Sequence, residues 1–166
     1  MGAVVTLIIA ALIAAIDQIS KYFVYNNLYP SGEVKVIDNL FSLVYTENRG
    51  AAFGIFQNGT VFFTILTSLM MAVFLFLIFK KKFTSKLFYA ASALIIGGGI
   101  GNLIDRIFRG FVVDFLSLSF FPPVCNFADY CITIGAVLFV LSIILIPEPS
   151  KKDTAAETDS GSDNNE

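Results

Sequence analysis

With 166 residues, of which 56% are hydrophobic and only 14% charged, the chain is too apolar for a soluble domain of its length and indicates a membrane protein. The absence of histidine and the presence of only two cysteines, Cys125 and Cys131, exclude histidine-based metal sites and catalytic Ser-His or Cys-His pairs. The net charge of −2 says little about partners, because six of the thirteen acidic residues follow Pro147 in a polar tail.

Four apolar segments, taken in chain order, are long enough to cross a membrane as helices. A helix needs roughly 20 apolar residues to cross about 30 Å of hydrocarbon. The first segment lacks a basic leading region and stays apolar past Asp17, so we interpret it as a retained span rather than a cleaved signal peptide. The predicted spans cover residues 4–25, 60–79, 87–108 and 127–146.

Lysine residues predict the orientation of these spans. Four lysines between residues 80 and 86 crowd the link between spans two and three, and two more follow span four. Because basic residues are enriched in cytoplasmic loops, both places and both chain termini are expected on the cytoplasmic side. Segments 26–59 and 109–126 then face outward, so a site built from them would lie at the outer face of the membrane.

The chain is predicted to form one integral-membrane domain over residues 1–149, with no internal repeat. Residues 150–166 are rich in Ser, Thr, Asp and Asn and lack apolar periodicity. Such a composition cannot bury enough apolar surface to order the chain. We therefore expect a disordered acidic tail on the cytoplasmic side.

The two outward segments carry patterns that are typical of β-strands. Residues 34–36 and 116–120 alternate between apolar and polar side chains, and residues 40–46 are rich in β-forming residues. Turns are predicted at Pro30-Ser31-Gly32 and at Pro122-Pro123. The predicted fold class is an all-α membrane protein with four transmembrane helices and a small outward-facing β element between spans one and two.

Polar residues that membrane helices rarely carry gather at one end of the predicted bundle. Spans three and four are antiparallel and joined on the outside, so the end of one and the start of the other share a membrane depth, which the end of span one also reaches. Ionisable groups at a membrane boundary are costly, so a group of them is a candidate functional site. Its members are Asp17, Lys21, Asp105, Arg106, Asp114, Asn126 and Asp129.

Two of these pairs also have a purely structural interpretation. Asp17 and Lys21 are spaced i, i+4 with the acid first, which favours an ion pair within one helix. Asn126 and Asp129 have the spacing of a helix cap, with Asn at the N-cap and an acid three residues later.

The third predicted span contains a similar pair and a run of glycines. Asn102 and Asp105 repeat the cap spacing inside a helix, where capping is unavailable. Gly97, Gly98 and Gly99 do not form the GxGxxG pattern of a nucleotide-binding loop, and no strand precedes them. Close packing of helices through small residues explains the glycines better.

Asp114 is the residue that a structural role explains least well, because it lies outside the helices and has no cation at i+4 and no cap to serve. Clustered carboxylates mark functional sites, so Asp114 and Asp129 are a candidate catalytic pair. Two carboxyls a few ångströms apart share one proton near neutral pH, so that one activates water while the other polarises a carbonyl. The sequence leaves open which aspartate takes which role.

Five sequence blocks, in this order along the chain, resemble the lipoprotein signal peptidase (signal peptidase II) family. The resemblance extends over roughly residues 15–146 and places the blocks in register with the four spans. One block alone would be weak evidence, whereas five in order are specific. The blocks are Asp17-Gln18-Ile19-Ser20-Lys21, Asn48-Arg49-Gly50-Ala51-Ala52-Phe53-Gly54, Gly101-Asn102-Leu103-Ile104-Asp105-Arg106, Val112-Val113-Asp114-Phe115 and Asn126-Phe127-Ala128-Asp129.

The resemblance implies an aspartyl endopeptidase of the bacterial cytoplasmic (inner) membrane, with Asp114 and Asp129 as its catalytic dyad. Such an enzyme removes the signal peptide of prolipoproteins by cutting before a diacylglyceryl-modified cysteine, and it requires no cofactor. The expected partners are these prolipoproteins and membrane lipid, with no nucleic acid, and the chain is expected to be a monomer. The supporting residues implied by the resemblance are Asn48, Arg49, Asn102, Asp105, Arg106 and Asn126, with Asp17 and Lys21 in the first block.

The main alternative is a small proton-coupled carrier that uses Asp17, Asp105 and Asp129 as relay groups. Carriers tend to place polar groups near the membrane midplane within repeated halves, whereas here they lie at one edge and no repeat is visible. A non-enzymatic assembly factor would leave Asp114 without a role.

Overall fold

The computed structural model describes residues 2–50, 59–80 and 85–145, and these form four helices and four strands. The predicted tail at residues 150–166, four of the six lysines used for orientation and the second half of the Asn48 block lie outside the described residues. The elements in chain order are α1 (Ala3–Leu28), β1 (Glu33–Ile37), β2 (Phe41–Asn48), α2 (Thr60–Phe79), α3 (Lys86–Phe108), β3 (Val112–Leu118), β4 (Phe121–Cys125) and α4 (Phe127–Leu145).

All four helices are long and apolar enough to span a membrane, which confirms the prediction of four spans. α2 illustrates the lipid-facing surface: Val61, Ile65 and Leu69, spaced four residues apart, are 70%, 63% and 61% exposed. Residues at i, i+4 and i+8 lie along one face of a helix. A row of large apolar side chains that no other part of the described chain covers is suited to contact with lipid.

Helix α3 is the centre of the bundle, and glycines let its neighbours approach closely. A Cβ atom at Gly97 would lie 2.7 Å from the Ile13 side chain in α1, one at Gly98 would lie 2.6 Å from the Ala128 carbonyl oxygen in α4, and one at Gly99 would lie 3.0 Å from the sulfur of Met71 in α2. Three successive glycines therefore face three different helices. The prediction that these glycines serve close packing is confirmed.

The four strands form one antiparallel sheet in the order β1-β2-β3-β4. The strand pattern predicted at residues 116–120 overlaps β3, but the predicted location between spans one and two accounts only for β1 and β2, because β3 and β4 come from the connection between α3 and α4. The predicted turn at Pro122-Pro123 is wrong, since both prolines lie within β4. β4 is an edge strand, where a residue without a backbone N–H is tolerated.

The sheet is attached to the helices through β3. Val113 and Phe115 form a buried cluster with Val24 and Leu28 at the end of α1. Gly110, with φ of +78°, allows the sharp change of direction between α3 and β3. These contacts hold β3 at the end of the bundle where α3 ends and α4 begins.

Candidate active site

The first feature of the site is the way Asn126 joins the two candidate catalytic aspartates. Its side-chain Nδ2 donates a hydrogen bond to Asp114 Oδ1 at 2.6 Å, and its backbone N–H donates to Asp129 Oδ2 at 3.0 Å. The Asn126 Oδ1 in turn accepts from the Asp129 backbone N–H at 2.9 Å. The last two bonds form the reciprocal cap that the sequence spacing indicated. Asn126 therefore does more than cap α4, because its side-chain amide also donates to Asp114 in β3.

Asp114 lies in β3 and is only 2% exposed. Its Oδ2 accepts a hydrogen bond from Asn48 Nδ2 in β2 at 2.8 Å. Burial, followed by the nearby negative charge of Asp129, raises the pKa of Asp114 to about 7. Hydrogen bonds from Asn48 and Asn126 act in the opposite direction, because they favour the ionised form. The carboxyl of Asp114 is thus suited to hold a proton near neutral pH.

Asp129 has a different environment from that of Asp114. It lies in the first turn of α4, where the positive end of the helix dipole favours a carboxylate. Its Oδ1 accepts a hydrogen bond from Asn102 Nδ2 in α3 at 2.9 Å. Asp129 is also one wall of a cavity of about 300 Å³ whose remaining lining is mostly apolar: Leu118, Phe121, Cys125, Tyr130 and Thr133. A carboxylate at the wall of an apolar cavity can meet a substrate and a water molecule.

A second group of charges, here called the ion cluster, consists of Lys21, Asp17 and Asp105. Lys21 Nζ lies 2.8 Å from Asp17 Oδ2 and 2.9 Å from Asp105 Oδ2, and all three side chains are fully buried. The ammonium also donates to Asn102 Oδ1 at 2.9 Å, the oxygen that Asn126 Nδ2 contacts at 3.1 Å. The ion pair expected within α1 is therefore one part of a larger network that reaches α3 and α4.

Eight of the ten residues singled out in the sequence belong to this single hydrogen-bonded network, and two arginines do not. Arg49 is exposed, pairs with Glu47 at 2.8 Å and lies over the ring of Phe111 at 5.1 Å. Arg106 lies over the ring of Phe63 at 5.9 Å, and its charge acts on the carboxylates of the site only at longer range. The eight connected residues are Asp17, Lys21, Asn48, Asn102, Asp105, Asp114, Asn126 and Asp129.

Gln18 is a residue of the network that the sequence analysis did not select. Its Nε2 lies 3.0 Å from the backbone oxygen of Gly101, 3.2 Å from Asp17 Oδ2 and 3.4 Å from Asp105 Oδ1. The available signal was an uncharged amide within an otherwise apolar span. Gln18 is uncharged and adjacent to Asp17 in the chain, so its position in the sequence did not mark it as a separate member of the site.

Comparison with known proteins identifies the family of the chain. The family model of signal peptidase II, an aspartyl peptidase family, matches residues 9–145. The chain belongs to the signal peptidase II family. A relative within this family, a lipoprotein signal peptidase of Caldanaerobacter subterraneus subsp. tengcongensis, is 44% identical over 132 residues, which cover 80% of this chain and 90% of that protein.

Two solved structures of bacterial membrane enzymes, both determined by the in meso method, have the same fold. The one at 2.3 Å resolution has a TM-score of 0.79 at 28% identity and covers 99% of this chain and 94% of its own. The one at 1.9 Å resolution has a TM-score of 0.76 at 28% identity, with coverages of 89% and 96%. As a member of the signal peptidase II family, the protein is a membrane-embedded, multi-pass protease, and the carrier alternative is not favoured.

Proposed function

We propose that the protein is a membrane aspartyl endopeptidase that removes the signal peptide of diacylglyceryl-modified prolipoproteins by cutting before the lipidated cysteine. Asp114 and Asp129, hereafter the dyad, are its proposed catalytic residues. One observation carries the assignment: within a chain of the signal peptidase II family, Asn126 hydrogen-bonds to both carboxyls and so couples a buried aspartate to one that faces a cavity.

The contrast between the two aspartates supports a division of roles. In the proposed first step, Asp129 accepts a proton from a water molecule whose oxygen attacks the scissile carbonyl carbon. Asp114 donates its proton to the carbonyl oxygen, which gives a tetrahedral diol. When the C–N bond then breaks, the proton held by Asp129 passes to the leaving amine and Asp114 recovers one from the diol. The burial of Asp114, the exposure of Asp129 to the cavity and the pKa of Asp114 near 7 favour this order.

The neutral amides around the dyad hold the carboxyls without fixing both as anions. Asn48 and Asn126 donate to Asp114, while Asn102 donates to Asp129. A lysine or arginine in direct contact would stabilise the doubly ionised pair and remove the shared proton. Among the described residues, the cations in ion pairs contact Asp17, Asp105 and Glu47 rather than the dyad.

The cavity beside Asp129 is the proposed approach for substrate and lipid. Its lining continues onto the outer side of α4, where Tyr130 is 36% and Ile134 51% exposed. Tyr130 and Ile134, spaced i, i+4, lie on one face of α4 and offer an apolar signal segment a surface next to this cavity. We therefore propose that the substrate enters laterally from the lipid and that its lipid anchor stays in the bilayer.

The proposed location is the bacterial inner membrane, with both termini cytoplasmic and the dyad at the outer face. The support for this orientation is the lysine distribution, which favours a cytoplasmic link between α2 and α3 and an outward-facing sheet. We further propose a monomer with no nucleic-acid partner, a single domain over residues 1–149 and an acidic tail over residues 150–166. Arg49 and Arg106 are proposed to contact substrate rather than the dyad.

A single assay tests the central proposal. Purified protein in detergent is incubated with a lipidated precursor peptide, and the products are identified by mass spectrometry. Cleavage directly before the lipidated cysteine by the parent, and its loss in Asp129→Asn, would support the proposal. Cleavage at other positions, or equal turnover by the Asp129→Asn variant, would contradict it.

A further inference from the structure

The ion cluster contacts backbone groups directly beside both members of the dyad. Asp17 Oδ1 accepts a hydrogen bond from the backbone N–H of Ala128 at 3.1 Å, and Asp105 Oδ2 accepts one from the backbone N–H of Val113 at 3.2 Å. Each of these N–H groups belongs to the residue that immediately precedes a member of the dyad. Because Lys21 Nζ binds both carboxylates, it connects the start of α4 to β3.

The third contact of Lys21 reaches the dyad by another route. Lys21 Nζ donates to Asn102 Oδ1 at 2.9 Å, and Asn102 Nδ2 donates to Asp129 Oδ1 at 2.9 Å. An ammonium group can only donate hydrogen bonds, whereas an amide has a donor end and an acceptor end. Lys21 therefore fixes which end of Asn102 faces Asp129.

We infer that Lys21 is a positioning residue for the dyad, which sets the separation of the two backbone segments through Asp17 and Asp105 and orients the Asn102 amide toward Asp129. This inference rests on the proposed function, because it assigns Lys21 a part in the same reaction. Lys21 itself is fully buried behind Asn102, so its effect on the substrate is indirect.

The competing explanation is that the ion cluster only stabilises the fold. A buried ion pair is weak evidence for stability, because the cost of removing its charges from water offsets much of the attraction. Removing one partner alone leaves an uncompensated buried charge, so a single Lys21 substitution cannot separate folding from positioning. The test must remove all three charges together.

The deciding variant combines Lys21→Met, Asp17→Asn and Asp105→Asn in the full chain. The asparagine oxygens can still accept from the N–H groups of Ala128 and Val113, so we expect the variant to fold. With Asn102 no longer held by an ammonium, kcat on the lipidated precursor peptide should fall by roughly 10- to 100-fold while KM changes little. A folded neutral variant with the parent kcat would overturn the inference.

A second measurement covers the case in which the neutral variant does not fold. Lys21→Arg keeps the charge, and it is combined with Asn102→Ala in a double-mutant cycle. If Lys21 acts through Asn102, the double variant should have a kcat close to that of the worse single variant. Effects on kcat that multiply would mean that the two residues act independently, which would overturn the inference.

Two controls accompany these variants. Thr6→Val changes another fully buried polar residue of α1, whose hydroxyl donates to the Gly2 carbonyl and, among the described residues, to no part of the network, and it should leave kcat unchanged. Asp114→Asn separates the two proposals. If Asp114→Asn retained turnover, the proposed function itself would fail, whereas an inactive Asp114→Asn beside a fully active neutral variant would refute only the role of Lys21.

Discussion

The end of the bundle that carries the sheet contains two pairs of aspartates in contrasting surroundings. Asp17 and Asp105 share one buried ammonium at 2.8 and 2.9 Å. Asp114 and Asp129 instead accept hydrogen bonds from neutral amides and backbone N–H groups. Asp17 and Asp105 are thus paired with a cation, whereas Asp114, with its raised pKa, is left able to exchange a proton. Burial does not distinguish the two pairs, because three of the four carboxylates are almost fully buried. The two pairs differ in whether a cation contacts them.

The largest expected effect comes from replacing either member of the dyad. Asp114→Asn and Asp129→Asn should each abolish measurable cleavage of a lipidated precursor, since a general acid or base contributes about 10²- to 10⁴-fold. The double variant should be hardly worse than either single one, because the two act as a unit. Asp105→Asn should retain measurable activity, and equal losses in all three would erase the distinction between the pairs.

The pH dependence of cleavage should follow the dyad. Asp114, with its pKa raised to about 7, holds its proton below that pH and loses it above. We therefore expect kcat/KM to fall as the pH rises through about 7. Asn48→Leu removes a hydrogen bond that favours the ionised form, so the fall should move to higher pH. A pH–rate profile of Asn48→Leu beside the distant Ser142→Ala checks this, and an unshifted profile in Asn48→Leu would contradict it.

The two cysteines report how accessible the cavity beside Asp129 and the buried part of α4 are to solvent. Cys125 lines the cavity beside Asp129, whereas Cys131 is buried at 5% exposure. A membrane-impermeant thiol reagent added from outside should therefore label Cys125 faster, by about tenfold or more. Burial raises the pKa of Cys125 to about 11, so the labelling rate should climb with pH. Faster labelling of Cys125 from the cytoplasmic side would contradict the proposed topology.

The smallest effect is expected at Arg49, which contacts neither aspartate pair among the described residues. Its exposed guanidinium lies between Glu47 and the ring of Phe111 and is free to bind backbone carbonyls or lipid head groups. Arg49→Ala should raise the apparent KM by roughly three- to tenfold and change kcat less. Glu47→Gln, which removes only the ion-pair partner, is the matched control. A large loss of kcat at constant KM would assign Arg49 to the chemistry instead.

The helices were predictable because each is a mostly apolar segment long enough to span a membrane, and the predicted bounds differ from the observed ones by at most three residues. The sheet was only half located, because its pairing of Thr46 with Asp114 joins strands from distant parts of the chain. The edge strand β4 was not predicted, because its two prolines locally favour a turn.

The site was predictable as a set of residues but not as a network. Spacing along one helix indicated the pair of Asp17 and Lys21, which the structure contains at 2.8 Å. Their contacts with Asp105 and Asn102 depend on how α1 is rotated against α3, and local spacing carries no information about that rotation. For the same reason Gln18 was overlooked, and the two arginines could not be separated from the residues that surround the dyad.

The position of Asp129 depends on the missing side chain of Gly98. A Cβ atom at residue 98 would lie only 2.6 Å from the carbonyl oxygen of Ala128, which is too close for the two atoms to coexist without a shift. One methyl group there would push away the first turn of α4, which carries Asp129, while Asn102 one turn further along α3 stayed in place. The distance from the Asn102 amide to Asp129, and with it the geometry of hydrolysis, thus depends on the absence of a Cβ atom at residue 98.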